Sequence, residues 1–128
     1  MAAPSAAGAP VQLDAAALGR LTMLDPTNES RLIERVMQAF RSSAARLSVQ
    51  LDQAQLDGDR AALRLAAHTL KSSSASIGAL ELSARCGLLE TGIAGESQIE
   101  LDADLAALRS ALSGALDAID RLLAERAG

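Results

Sequence analysis

The chain has 128 residues, 49% hydrophobic and 22% charged, with a formal net charge of -4, one His, one Cys, one Phe and neither Tyr nor Trp. That length supports one hydrophobic core and excludes a multidomain enzyme with its own nucleotide-binding lobe. The acidic balance and the missing aromatic platforms argue against nucleic acid as a partner. One Cys excludes an internal disulfide, and a metal site built from one His and one Cys would need carboxylates at an unusual spacing, so a reducing, cytoplasmic setting without structural metal is expected. Charged or amide residues interrupt every apolar segment before the roughly 18 residues needed to span a bilayer, so no direct membrane contact is expected. Strands favour aromatic and β-branched residues, whereas Ala, Leu, Arg, Asp, Glu, Gln and Ser dominate here, which points to an all-α fold packed by aliphatic side chains.

In chain order, residues 1–10 lack the basic n-region and Leu-rich stretch of a signal peptide and read as a flexible Ala/Pro-rich tail or linker; residues 11–128 read as one helical domain. A short first helix is predicted over about Leu13 to Leu24, with Leu18 and Leu21 on one face. Asp25-Pro26-Thr27-Asn28 ends it and is expected to start the second helix, since Pro suits a first turn and Asp, Thr or Asn accept free amides. That helix carries Leu32, Val36, Phe40, Leu47, Leu51 and Ala54 and runs to about Leu56. Asp57-Gly58-Asp59 forms a turn and cap, so a third helix runs from about Asp59 or Arg60 to Ile77, closed by a left-handed Gly78. The fourth helix repeats Leu82, Cys86, Leu89 and Ile93, which puts Cys86 in the core as a small hydrophobe. Gly92, Gly95 and Ser97 break the chain before a last helix over about Gln98 to Glu125, lined by Leu101, Leu105, Leu108, Leu112, Ile119 and Leu122. Four long amphipathic segments with short turns predict an antiparallel four-helix bundle with a short extra N-terminal helix.

The third helix carries the unusual chemistry. At about 100° per residue, Leu63, Ala66, Ala67, Leu70, Ser74 and Ile77 share a core face, and His68 lies roughly 140° from Leu63, on the solvent side. Ala61, Ser72 and Ala75 are small neighbours that leave the imidazole accessible, and Lys71 at i+3 can reach a group attached to it. An exposed histidine taken by itself is most often an ordinary surface residue; the lysine offset and the small neighbours are what single this one out.

His68-Thr69-Leu70-Lys71-Ser72-Ser73, with Gly78 ten residues after the His, resembles the signature of the histidine-containing phosphotransfer (HPt) domain, and the likeness in helix number and length covers about residues 11 to 126. Ser72 stands where that family usually has Gly. The resemblance implies a module that relays a phosphoryl group between aspartyl-phosphate receiver domains through His68, with Lys71 steadying the group and Ser72 able to donate to it. An imidazole suits this task because its ordinary pKa of about 6.5 leaves it largely neutral and nucleophilic near pH 7. It also implies response-regulator receivers or a hybrid histidine kinase as partners, docking around Ala61, Arg64, Leu65, Ala75 and Arg85, with Arg60 as further positive charge. A monomer is expected. The sequence carries no Gly-rich loop followed by Lys-Ser/Thr and no ATP lid pattern, so no intrinsic cofactor is expected, and Mg²⁺ would sit on the receiver. Two alternatives remain: the phosphoacceptor domain of a chemotaxis-type histidine kinase, phosphorylated from ATP, and a helical adaptor without chemistry.

Overall fold

In the computed structural model, residues 10–127 are described; apart from Pro10, the predicted tail lies outside them. They form five helices and no strand: α1 (Ala15–Leu24), α2 (Leu32–Asp57), α3 (Arg60–Ser76), α4 (Leu80–Gly92) and α5 (Gln98–Ala127). Each consecutive pair packs together, α3 against α4 most extensively, and α2 also meets α5. The core is aliphatic as expected: Met37, Leu51, Leu63, Leu70, Leu82, Leu89, Leu105, Leu108 and Ile119 are all buried, with Phe40 as the one aromatic among them. Cys86 is fully buried.

Local chemistry places the helix ends. Asp14 caps α1 by accepting from the Ala17 amide at 3.2 Å, and Asp59 caps α3 by accepting from the Ala62 amide at 3.0 Å. Ser97 and Glu100 form a reciprocal capping box at the start of α5, at 2.8 and 3.1 Å. Gly58 and Gly78 close α2 and α3 at φ +67° and +82°. One boundary differs from expectation: α2 starts at Leu32, not within Asp25 to Asn28. Asn28 and Arg31 adopt positive φ (60° and 50°), which keeps this run out of a continuous helix. The capping carboxylate instead reaches over the loop, Asp25 accepting from the Ser30 and Leu32 amides at 3.3 and 3.0 Å.

Polar cross-links tie α2 to α5. Arg126 donates to Glu34 at 2.9 Å, Arg41 pairs with Asp120 at 3.0 Å, Arg109 with Asp52 at 2.9 Å, and Gln55 donates to Asp102 at 3.2 Å. Residue numbers rise along one helix as they fall along the other. Arg126 also donates to Asn28 at 2.9 Å, so the end of α5 holds the loop before α2.

The segment before α1 is strapped to the rest. Arg121 donates to the Val11 carbonyl at 2.6 Å, and the Val11 side chain fills the space that a Cβ on Gly114 would take, 2.5 Å from that position. The Asp14 amide donates to the Gly78 carbonyl at 2.8 Å. A Cβ on Gly78 would stand 2.7 Å from the Asp14 amide nitrogen. Gly78 is therefore needed twice, for its left-handed φ and for the close approach of the chain entering α1.

Two stability predictions follow from these contacts. Gly78→Ala is expected to cost about 1–2 kcal/mol from φ alone, and more from the collision with Asp14, read as a lower urea midpoint. The Arg126 hydrogen bond, the amide of Glu34 itself and the nearby Arg31 hold the Glu34 carboxyl below its ordinary value of 4.5. A lowered acid stabilises the fold above its unfolded value, and that contribution is lost as pH falls through the folded one. Arg126→Ala should therefore lower the thermal midpoint at pH 7, with the difference from wild type shrinking as pH is taken below about 4.5.

Candidate functional site

The predicted core face of α3 is the buried one: Leu63, Ala66, Ala67, Leu70 and Ser74 all face inward, with Ile77 buried just beyond. His68 is on the other side, its side chain 58% exposed. The ring is nonetheless held. Its Nδ1 lies 2.7 Å from Oε2 of Glu90, a residue of α4. The Lys71 ammonium donates to the other oxygen, Oε1, at 2.6 Å. A single carboxylate thus fixes both side chains.

Why the carboxylate is there follows from the face that α4 turns toward α3. Ser83, Gly87 and Glu90 recur at helical spacing beside the Leu82, Cys86 and Leu89 core stripe. The Ser83 hydroxyl donates to the Lys71 carbonyl at 3.1 Å, pinning α4 to the middle of α3. Gly87 lies beside the Lys71 stem, where a Cβ would make an ordinary contact at 3.5 Å with Lys71 Cδ. The lysine passes beside α4 at this point and brings its ammonium to Glu90.

Electrostatics set the protonation pattern. Hydrogen bonds from Lys71, then from His68, together with their charges, hold the Glu90 carboxyl below its ordinary value of 4.5. At neutral pH it is a carboxylate, which can only accept. The Nδ1 contact is then a donated N–H, and in the neutral ring the lone pair belongs to Nε2, the nitrogen not engaged with Glu90. Beneath the pair, burial pushes the Cys86 thiol up to about 12, so it stays protonated and is no rival nucleophile.

The serines divide. Ser73 bonds the Thr69 and Leu70 carbonyls at 3.3 and 3.2 Å, Ser74 the Leu70 carbonyl at 2.6 Å, and Ser76 the Ser72 carbonyl at 3.1 Å. These hydroxyls are turned back onto their own helix. Ser72 is exposed, one turn beyond His68.

The predicted docking residues fall into separate places. Ala61, Arg64 and Leu65 line one open depression with His68 and Glu90. Ala75 belongs to a different one, with Ser76 and with Ala17, Arg20, Leu21 and Leu24 of α1. Arg85 is exposed and lies 3.8 Å from Glu81 of its own helix. Arg60 is turned inward, donating to the Ile93 and Glu96 carbonyls at 2.6 and 2.9 Å; it ties the end of α4 to the start of α3 and is occupied there. Leu65 and Leu88 are apolar and exposed, at 67% and 57%.

Glu90 is the site residue that sequence reasoning missed. The signal available was an acid four residues after Cys86, one of several carboxylates on the exposed sides of these helices, with nothing local to mark it. Among the described residues no group of three or more His, Cys, Asp or Glu could hold a metal ion, and no helix is long and apolar enough to cross a membrane.

The family model described as the Hpt domain matches residues 35–125, from the first turn of α2 almost to the end of α5. No curated protein and no solved structure matches the chain. On that match, which spans most of its length, the chain belongs to the Hpt domain family, the histidine phosphotransfer modules of two-component phosphorelays, which work with receiver domains and histidine kinases.

Proposed function

We propose that His68 is the phosphoacceptor and Nε2 its reacting atom. The observation that carries this reading is a histidine 58% exposed, with Nδ1 committed to Glu90 at 2.7 Å. The Nε2 lone pair attacks the phosphorus of a receiver's aspartyl phosphate. The N–P bond forms, the O–P bond breaks, and its electron pair leaves with the aspartate carboxylate. Onward transfer is the same step reversed, onto a second receiver. Lys71, already beside the ring, offers its ammonium to the phosphoryl oxygens, and Ser72 can donate from the next turn. Positioning and charge stabilisation supply most of what such a transfer needs.

The remaining assignments are part of the same proposal. Ala61, Arg64 and Leu65 form the receiver-facing surface next to His68, with Ala75 and Arg85 at its edges. Mg²⁺ is supplied by the receiver, and the module has no cofactor of its own. The four long helices form an antiparallel bundle, supported by the opposed cross-links of α2 and α5, with residues 11–128 as the domain and 1–10 as the linker. It acts as a monomer in the cytoplasm.

Incubation with a phosphorylated receiver should place acid-labile label on the wild-type protein and none on His68→Gln; label on His68→Gln at the wild-type level would overturn the assignment. Lys71→Ala is expected to slow transfer about 10- to 100-fold with helicity unchanged, measured as the rate of label loss from the receiver. An unchanged rate would remove Lys71 from the mechanism.

A further inference from the structure

Attack by Nε2 leaves an awkward proton. The ring begins neutral, with hydrogen on Nδ1; once Nε2 has used its lone pair to form the N–P bond, a ring that keeps that hydrogen is a cation. Two fates follow. If the proton goes to water, the phosphorylated ring becomes neutral, and breaking the N–P bond must expel an imidazolate anion, a poor leaving group. If the proton stays, the bond breaks to return a neutral imidazole, with the electron pair back on Nε2 and hydrogen still on Nδ1.

We propose that Glu90 keeps the Nδ1 proton on the phosphorylated ring of His68, so that the phosphoryl group stays transferable and the relay cycle runs without exchanging a proton with solvent. The proposal rests on the reading of His68 as the phosphoacceptor. Its geometric basis is the direct 2.7 Å contact between Nδ1 and Glu90 Oε2, which turns the phosphorylated ring and the carboxylate into a hydrogen-bonded ion pair.

Other charges face the ring and have to be weighed. On α3, Arg64 and Lys71 oppose a second positive charge; on α4, Glu90 favours it, and the buried Cys86 thiol beneath is neutral. Asp57 of α2 and Asp59 lie across Leu65 in the next depression, and Arg20 of α1 lies farther along, beside Ala75. From α5 no residue lines the depression that holds His68. Lys71 is the strongest opponent, yet its ammonium sits on Oε1, with the carboxylate between it and Nδ1. Coulomb energy falls with distance, so the group in contact outweighs the one behind it. Arg64 is exposed and screened by salt. Once the phosphoryl group arrives, Lys71 also has a second anion to neutralise.

The test reads the phosphorylated ring directly. The intact protein is charged with phosphoramidate, and the phosphorus resonance is followed by NMR as pH is varied, beside free phosphohistidine in the same buffer. The midpoint for wild type should lie above that of the free compound by about one pH unit or more, as for a cation with an opposite charge in contact. In Glu90→Gln it should fall back toward the free compound, and in Glu90→Ala at least as far. Onward transfer to a receiver should match wild type at low pH, where every ring is protonated. Above both midpoints Glu90→Gln should be slower by about tenfold for each unit of separation. Equal midpoints in wild type and Glu90→Gln, or a rate deficit that is the same at all pH values, would overturn the role of Glu90 while leaving His68 as phosphoacceptor. Wild type that takes label away from His68, or takes none, overturns both readings. Should the variants fail to fold, a wild-type midpoint no higher than that of free phosphohistidine also overturns the proposal.

Discussion

The site depends on one carboxylate that spans two helices. Glu90 belongs to α4, while His68 and Lys71, the side chains it holds at 2.7 and 2.6 Å, belong to α3. An exposed histidine on a helix ordinarily samples several rotamers and both neutral tautomers. Here a residue of the second helix holds Nδ1, so packing favours one rotamer and one neutral tautomer, the one with its lone pair on Nε2, before any partner arrives. The ordering comes from the bundle, which must bring α4 within hydrogen-bonding reach of a solvent-facing residue of α3.

That closeness is a property of small side chains. The buried face of α3 alternates Leu63 and Leu70 with Ala66, Ala67 and Ser74, and α4 contributes Cys86 between Leu82 and Leu89. Interaxial distance between packed helices depends on the side chains at the contact, and short ones permit the nearer end of the usual range. Ser83 and Gly87 continue the theme at the edge, one bonding the Lys71 carbonyl and the other lying beside its stem. The scarcity of aromatic residues thus bears on chemistry as well as fold class. Cys86 is fully buried between the two helices, where an aromatic ring would overfill the contact.

Much of this was legible in sequence because it follows local rules. Periodicity located all five helices and the buried face of α3, and turn chemistry located Gly58 and Gly78 at helix ends. The exposure of His68 came from counting angles around one helix. What was not legible involves contacts between distant segments. The start of α2 was misplaced because Asp25 caps it from across a loop with two positive-φ residues, a geometry that Asp-Pro-Thr-Asn does not announce. Arg60 looked like a free surface charge until α4 ended against it. Glu90 was invisible for the same reason: which acid of α4 faces His68 depends on the relative rotation of two helices.

The matched family segment begins at residue 35, so α1 and the strap before it lie outside the match, yet they are built onto the same turn that ends the motif-bearing helix. Gly78 gives its carbonyl to Asp14 and leaves no room for a side chain of its own there. One glycine therefore serves two purposes. It reverses the chain so that α4 returns along α3 and can deliver Glu90, and it presents a bare backbone edge on which α1 is seated. Loss of that seat would act first on α1 and its depression beside Ala75, whereas loss of the reversal would act on the carboxylate that orders His68. Both effects start from one left-handed residue ten positions past the histidine, and this gives a physical reason for a glycine to stand at a fixed distance from His68 despite contributing no chemistry.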